Sequence, residues 1–107
     1  MEDNITIEDV KRHARVSHSL EDEIISEYLN WARSSVKSSL GSDETLELTN
    51  LYESFEYRKA VIMLANHFYD NRLVLNERNM REQPFSVMDS IQKLSGDASV
   101  FKGAANE

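Results

Sequence analysis

Apolar positions along the chain recur at spacings of three and four residues, the period of an α-helix. Ile7, Val10 and Ala14 share one face of a first short segment, about Ile7 to Ala14. Thr6 with Asp9 approximates a capping box at its start, Asp replacing the usual Glu or Gln. Glu8 and Arg12 stand four apart in the favourable order. A helix this short needs a neighbour to be stable. Val16 to Ser19 reads as a tight connection. Ser19 reads as the N-cap of a second helix with Glu21, Asp22 and Glu23 in its first turn. This helix is expected to run from Leu20 to about Leu40, with Gly41 as its stop.

On the second helix Leu20, Ile24, Ile25, Tyr28, Leu29, Trp31, Ala32 and Val36 cover an apolar arc of roughly 180–200°. Glu23, Glu27, Asn30, Arg33 and Lys37 fill the opposite side. A surface helix of a monomer often needs only about half that arc. The surplus means either two layers of internal packing or a core face plus a partner face.

Ser42 to Ser54 is a long connector, either a short helix carrying Leu46, Leu48 and Leu51 or an ordered loop. A third helix is expected from about Phe55 to Leu75. Ala60-Val61-Ile62-Met63-Leu64-Ala65 makes it apolar on nearly every side, while Lys59, Asn66, His67 and Asp70 form a narrower polar strip. That pattern predicts a central, surrounded helix. Asn76 to Gln83 is polar. Pro84 can open a helix at its first turn, and Phe85, Val87, Met88, Ile91 and Leu94 give a final amphipathic helix to about Ser95, closed by Gly96. The predicted fold is therefore all-α, a small bundle of four to five helices with a long connection between the second and third. Residues 1–96 form the domain and 97–107 a flexible, polar tail whose deletion leaves stability unchanged.

Composition narrows the function. Three glycines and one proline among 107 residues are too few turn formers for a β-sandwich or barrel. The absence of cysteine removes disulfides, thiol catalysis and cysteine-ligated metals. The acidic start is no signal peptide, and the longest apolar run, Ala60 to Ala65, is far short of the roughly 20 residues a membrane span needs. A net charge of −7 argues against long-range attraction to phosphate.

Candidate chemistry is sparse. His13, His18 and His67 form neither HxxxH nor HExxH, so a metal would need a cluster assembled in space, such as His67 with Asp70. No GxSxG, GxGxxG or GxxxxGK[ST] occurs. The acids Glu21, Asp22, Glu23 and Glu27 lack the alternating ligands and loop glycine of an EF-hand, and helix N-terminal electrostatics accounts for the first three. No enzyme activity, metal or cofactor is expected. Tyr28 and Trp31 on the second helix, Arg72 beside Phe68 and Tyr69, and Phe85 have surplus contact potential. They are the candidate residues of an oligomer or partner interface. For Arg72 an intrachain ion pair is the plainer reading, and an intersubunit contact is the sharper alternative.

Three stretches carry a resemblance. The first is Ile5-Thr6-Ile7-Glu8-Asp9-Val10-Lys11, followed by Leu20-Glu21-Asp22-Glu23-Ile24-Ile25, Tyr28-Leu29 and Trp31-Ala32-Arg33. The second runs from Arg58 through the apolar stretch to His67-Phe68-Tyr69-Asp70-Asn71-Arg72, and the third is Pro84-Phe85-Ser86-Val87 leading to Ile91 and Leu94. Together, over about Ile5 to Leu94, the chain resembles the head-tail connector (head-completion or adaptor) proteins of tailed bacteriophages. The resemblance implies a structural subunit of a phage or prophage. It implies a dodecameric ring beneath the portal protein, with a second face that receives the stopper or tail-completion protein. It implies no catalytic residues, and the short apolar run and acidic charge add the expectation of no membrane and no sequence-specific nucleic-acid binding. The location implied is the virion's head-tail interface, with assembly in the host cytoplasm. The rival reading is a small helical regulatory or DNA-binding protein, which would need a basic recognition helix. The third helix is too apolar for that role, and the fourth lacks base-reading side chains apart from Gln92.

Overall fold

A computed structural model of the chain describes residues 3–15, 19–42, 44–70 and 85–102, with only the backbone of residues 85 and 86. Among the described residues the fold is all-α: α1 (Ile7–Ala14), α2 (Asp22–Leu40), α3 (Leu48–Glu53), α4 (Phe55–Asp70), α5 (Phe85–Ser95) and a 3-10 turn, Ala98–Val100. The sequence's third helix is α4, and α3 lies inside the long connector. The last residues expected in α4, Asn71 to Leu75, lie outside the described residues, as do Pro84 and the segment before it.

Local signals place most of the ends. Asp9 accepts from the Thr6 backbone N–H at 2.9 Å, the expected capping box. At the far end of α1, Arg15 adopts a left-handed conformation, φ 60°, and its N–H turns back to the Arg12 carbonyl. Gly41 stops α2 as expected. Its φ of 155° suits glycine, and a Cβ there would come within 2.5 Å of Thr45 Oγ1. The start of α2 differs from expectation: Glu21, not Ser19, is the N-cap. Tertiary bonds decide this, because Tyr69 Oη donates to Glu21 Oε1 at 2.7 Å and Lys11 pairs with Asp22 at 2.8 Å. Leu20 is left largely exposed outside the apolar arc.

The expected central helix is α4, which packs against α2, α5, α1 and α3. Its Tyr57, Ala60, Val61, Leu64, Ala65 and Phe68 are buried, with Ile25, Leu29, Ala32 and Val36 of α2 and Val87 and Leu94 of α5 in the same core. Asn66, on the predicted polar strip, is buried, its Nδ2 donating to the Ile62 carbonyl at 2.9 Å.

The N-terminal segment is clasped to the bundle. Arg33 holds the Asp3 carboxylate through its Nε and Nη2 at 2.9–3.2 Å, Tyr57 Oη donates to Asp3 Oδ2 at 2.9 Å, and the Ile5 N–H donates to Asp3 Oδ1 at 3.2 Å. Arg33 Nη2 also donates to the Ile5 carbonyl. The Asp3 side chain is only 3% exposed. This joins the strand-like lead into α1 to the middle of α2 and the start of α4.

The expectation of a flexible tail from Asp97 does not extend to residues 97–102. Val100 is fully buried, the Glu47 N–H donates to the Val100 carbonyl at 2.7 Å, and the Lys102 N–H donates to the Thr45 carbonyl at 2.9 Å. Leu46 and Phe101 form an antiparallel bridge. Asp97 caps the 3-10 turn by accepting from Ser99 N and Oγ at 3.0 and 2.7 Å. The connector's Leu46 and Leu51 need a cover, and Val100 supplies part of it. Residues 103–107 lie outside the described residues. Ending the chain at Ser95 is therefore expected to cost about 2 kcal/mol, or roughly 10 °C in melting temperature. A truncated chain melting with the full-length one would show that the segment contributes nothing.

Candidate interaction surface

Among the described residues no group of three or more His, Cys, Asp or Glu side chains gathers as a metal would require, and no helix is long and apolar enough to cross a membrane. The surface features with chemical character are an aromatic flank on α2 and a cation-rimmed hollow between α1 and α4.

The four interface candidates fare differently. Trp31 is 40% exposed, and its ring leans on Tyr28 at 5.3 Å and Phe68 at 6.3 Å between centroids. Tyr28 is a correction. Only 4% exposed and also packed on Phe68, it is a core residue that supports Trp31 from behind. The 3.6-residue period puts Tyr28 nearer the centre of the buried arc than Trp31. Arg72 lies outside the described residues. Phe85 opens α5, and its side chain lies outside the described atoms. The α2 flank that carries Trp31 also carries the exposed Glu27 and Glu23, one and two turns earlier, and Ser34 one turn later.

Sequence reasoning missed the hollow. His13, Phe55, Arg58, Lys59, Ile62 and Met63 line an open depression of about 320 Å³. Phe55 is 71% exposed at its edge. A more polar depression shares His13, Arg58 and Ile62 and adds Asp9, Arg12 and Arg15. Inside this rim Asp9 pairs with Arg58 at 2.9 Å and reaches Arg12 at 3.5 Å, and Lys59 lies 3.8 Å from Glu56. The Thr6 backbone N–H holds the Asp9 carboxyl below the usual carboxylate range, and Arg58 beside it acts in the same direction. The stripe Phe55, Lys59, Ile62 was visible at helical spacing. Its partners on α1 were not, since Arg12 and His13 are more than forty positions away in a chain of 107 residues.

The comparison that decides the family is direct. A family model described as phage gp6-like head-tail connector protein matches residues 4–94. The chain belongs to this family. The matched span begins just after Asp3 of the clasp and runs through Leu94 of α5, so it includes both the Trp31 flank and the hollow, while the docked segment 97–102 lies beyond it. A search of curated proteins and one of solved structures returned no match.

Proposed function

We propose that this family member is a non-enzymatic ring subunit that sits beneath the portal in the virion and receives the stopper or tail-completion protein on its other face. The observation that carries the reading is the family match over residues 4–94. Two features of the chain support it. Trp31 leaves a large aromatic surface on a helix whose core side is already filled, and exposed aromatics of this kind are favoured interface anchors. The net charge of −7 also suits a conduit for DNA, because like charge discourages a passing duplex from sticking. Assembly would take place in the host cytoplasm. The experiment is disruption of the gene in a phage that carries it, followed by electron microscopy of the lysate. Filled heads and separate, unjoined tails are expected, and plasmid-borne wild-type chain restores joined particles. Normal joined virions without the chain would refute the proposal.

The rival DNA-binding reading makes a contrary prediction. The rim cations of the hollow lie on two helices and are interleaved with Asp9 and Glu56. The isolated subunit is therefore expected to give no mobility shift with duplex DNA at low micromolar protein and physiological salt. A shift under those conditions would favour the regulatory reading.

A further inference from the structure

We infer that the hollow between α1 and α4 is the receptor for the Glu23–Glu27–Trp31 flank of a second copy of this chain, so that subunits join head to tail. The inference rests on the ring reading above and goes beyond it by naming both halves of the contact.

α1 lies along the side of α2 that carries Asp22 and Arg33, fixed there by Lys11–Asp22 at 2.8 Å and Asp3–Arg33 at 2.9 Å. Trp31 follows Asp22 by nine residues, which turns it about 180° away around α2. On α4, Tyr57, Val61, Leu64 and Phe68 face the core, while Phe55, Lys59 and Ile62 belong to the stripe on the other side. Flank and hollow thus look away from each other across one subunit. One subunit cannot bring its own two halves together, and a two-fold dimer would not pair them efficiently. A head-to-tail contact does, and it repeats.

The flank offers one large aromatic ring and two carboxylates, and Glu23 and Glu27 form no ion pair among the described residues. The hollow offers apolar walls, Phe55, Ile62 and Met63, beneath a rim of cations. Within the rim Arg58 and Lys59 are answered by Asp9 and Glu56. Arg15, and Arg12 with its side chain 78% exposed and only a 3.5 Å approach to Asp9, are the cations with capacity left. Two surplus carboxylates therefore meet two surplus arginines, with an indole entering an apolar hollow between them. In a chain of net charge −7, identical subunits would otherwise repel, and this face is where attraction can be local.

The chain has no cysteine, so introduced cysteines report on the contact cleanly. Ser34→Cys lies one turn beyond Trp31 and Lys59→Cys lies in the hollow. The double variant, assembled with the portal of the same phage and treated with a short bismaleimide, is expected to give a ladder of dimers, trimers and larger species. Each single variant is expected to stay monomeric. A dimer from either single variant overturns the pairing, because it means that a face meets itself. No ladder from the double variant also overturns it. If micrographs of that sample show rings, only the pairing falls, and if they show none, the ring reading falls with it. Charge reversal supplies a second arm. Glu23→Lys with Glu27→Lys is expected to reduce assembled subunits at least tenfold, and adding Arg12→Glu and Arg15→Glu in the same chain to restore them. Reversal without effect, or reversal with no recovery, overturns the inference.

Discussion

Replacing Asp3 with alanine is expected to lower the melting temperature by roughly 10–20 °C. The carboxylate is buried and answers three donors at once: the Arg33 guanidinium, the Tyr57 hydroxyl and the Ile5 N–H. Its removal strands a largely buried phenol and a partly buried cation. Breaking one side of a buried pair costs about 3–5 kcal/mol. Because Arg33 keeps some access to water, about 3 kcal/mol is the expected value. Tyr57→Phe removes a single hydroxyl and is expected to cost about 1 kcal/mol. The double variant should cost less than the sum, since the two groups share a bond. Circular dichroism melting of the four chains measures this, and an Asp3→Ala chain melting within two or three degrees of wild type would show that the clasp does not hold the segment. The same cluster has an alkaline signature. Burial first, then the Asp3 carboxylate, push the Tyr57 phenol above its ordinary range. The folded chain therefore keeps a proton that the unfolded chain loses near pH 10. Stability from this group is complete below about pH 10 and falls as pH rises beyond it, and Tyr57→Phe should flatten that part of the profile.

Trp31→Ala is expected to weaken assembly far more than it weakens the fold. Within the subunit the ring loses its contacts with Tyr28 and Phe68, which together are worth about 1–2 kcal/mol. At an interface an aromatic anchor is typically worth about 2 kcal/mol or more, some 30-fold in affinity, and a ring repeats the contact. Ile25→Val is the matched control. It lies in the core, 1% exposed, and costs about 1 kcal/mol without touching the flank. At a temperature where both variants are folded, Ile25→Val should assemble as wild type does and Trp31→Ala should not. Equal assembly by the two would place the interface elsewhere.

Much of this fold was legible because its signals are local. The capping box at Thr6 and Asp9, the stop at Gly41 and the all-round apolar run at the centre of α4 depend on residues within a turn or two of each other. What was not legible depends on distant pairs. Asp3 and Arg33 each look like solvated charges, and only the approach of Tyr57 turns them into a buried clasp. The start of α2 was misplaced because Tyr69 and Lys11, from two other helices, fix Glu21 and Asp22. The segment 97–102 looked like a tail because one buried valine is a weak signal until Leu46 and Leu51 are seen to need a cover. The exposure of Trp31 at the edge of α2 was legible from the width of the apolar arc. Tyr28 was assigned too far out by the same reasoning, and the hollow could not be read, since α1 and α4 build it together.

The decisive experiment is electron cryomicroscopy of the purified chain mixed with the portal of its own phage. A closed ring of subunits is expected on one face of the portal, with Trp31 of each subunit covered by its neighbour. A portal left bare, with the chain monomeric in the background, would contradict it.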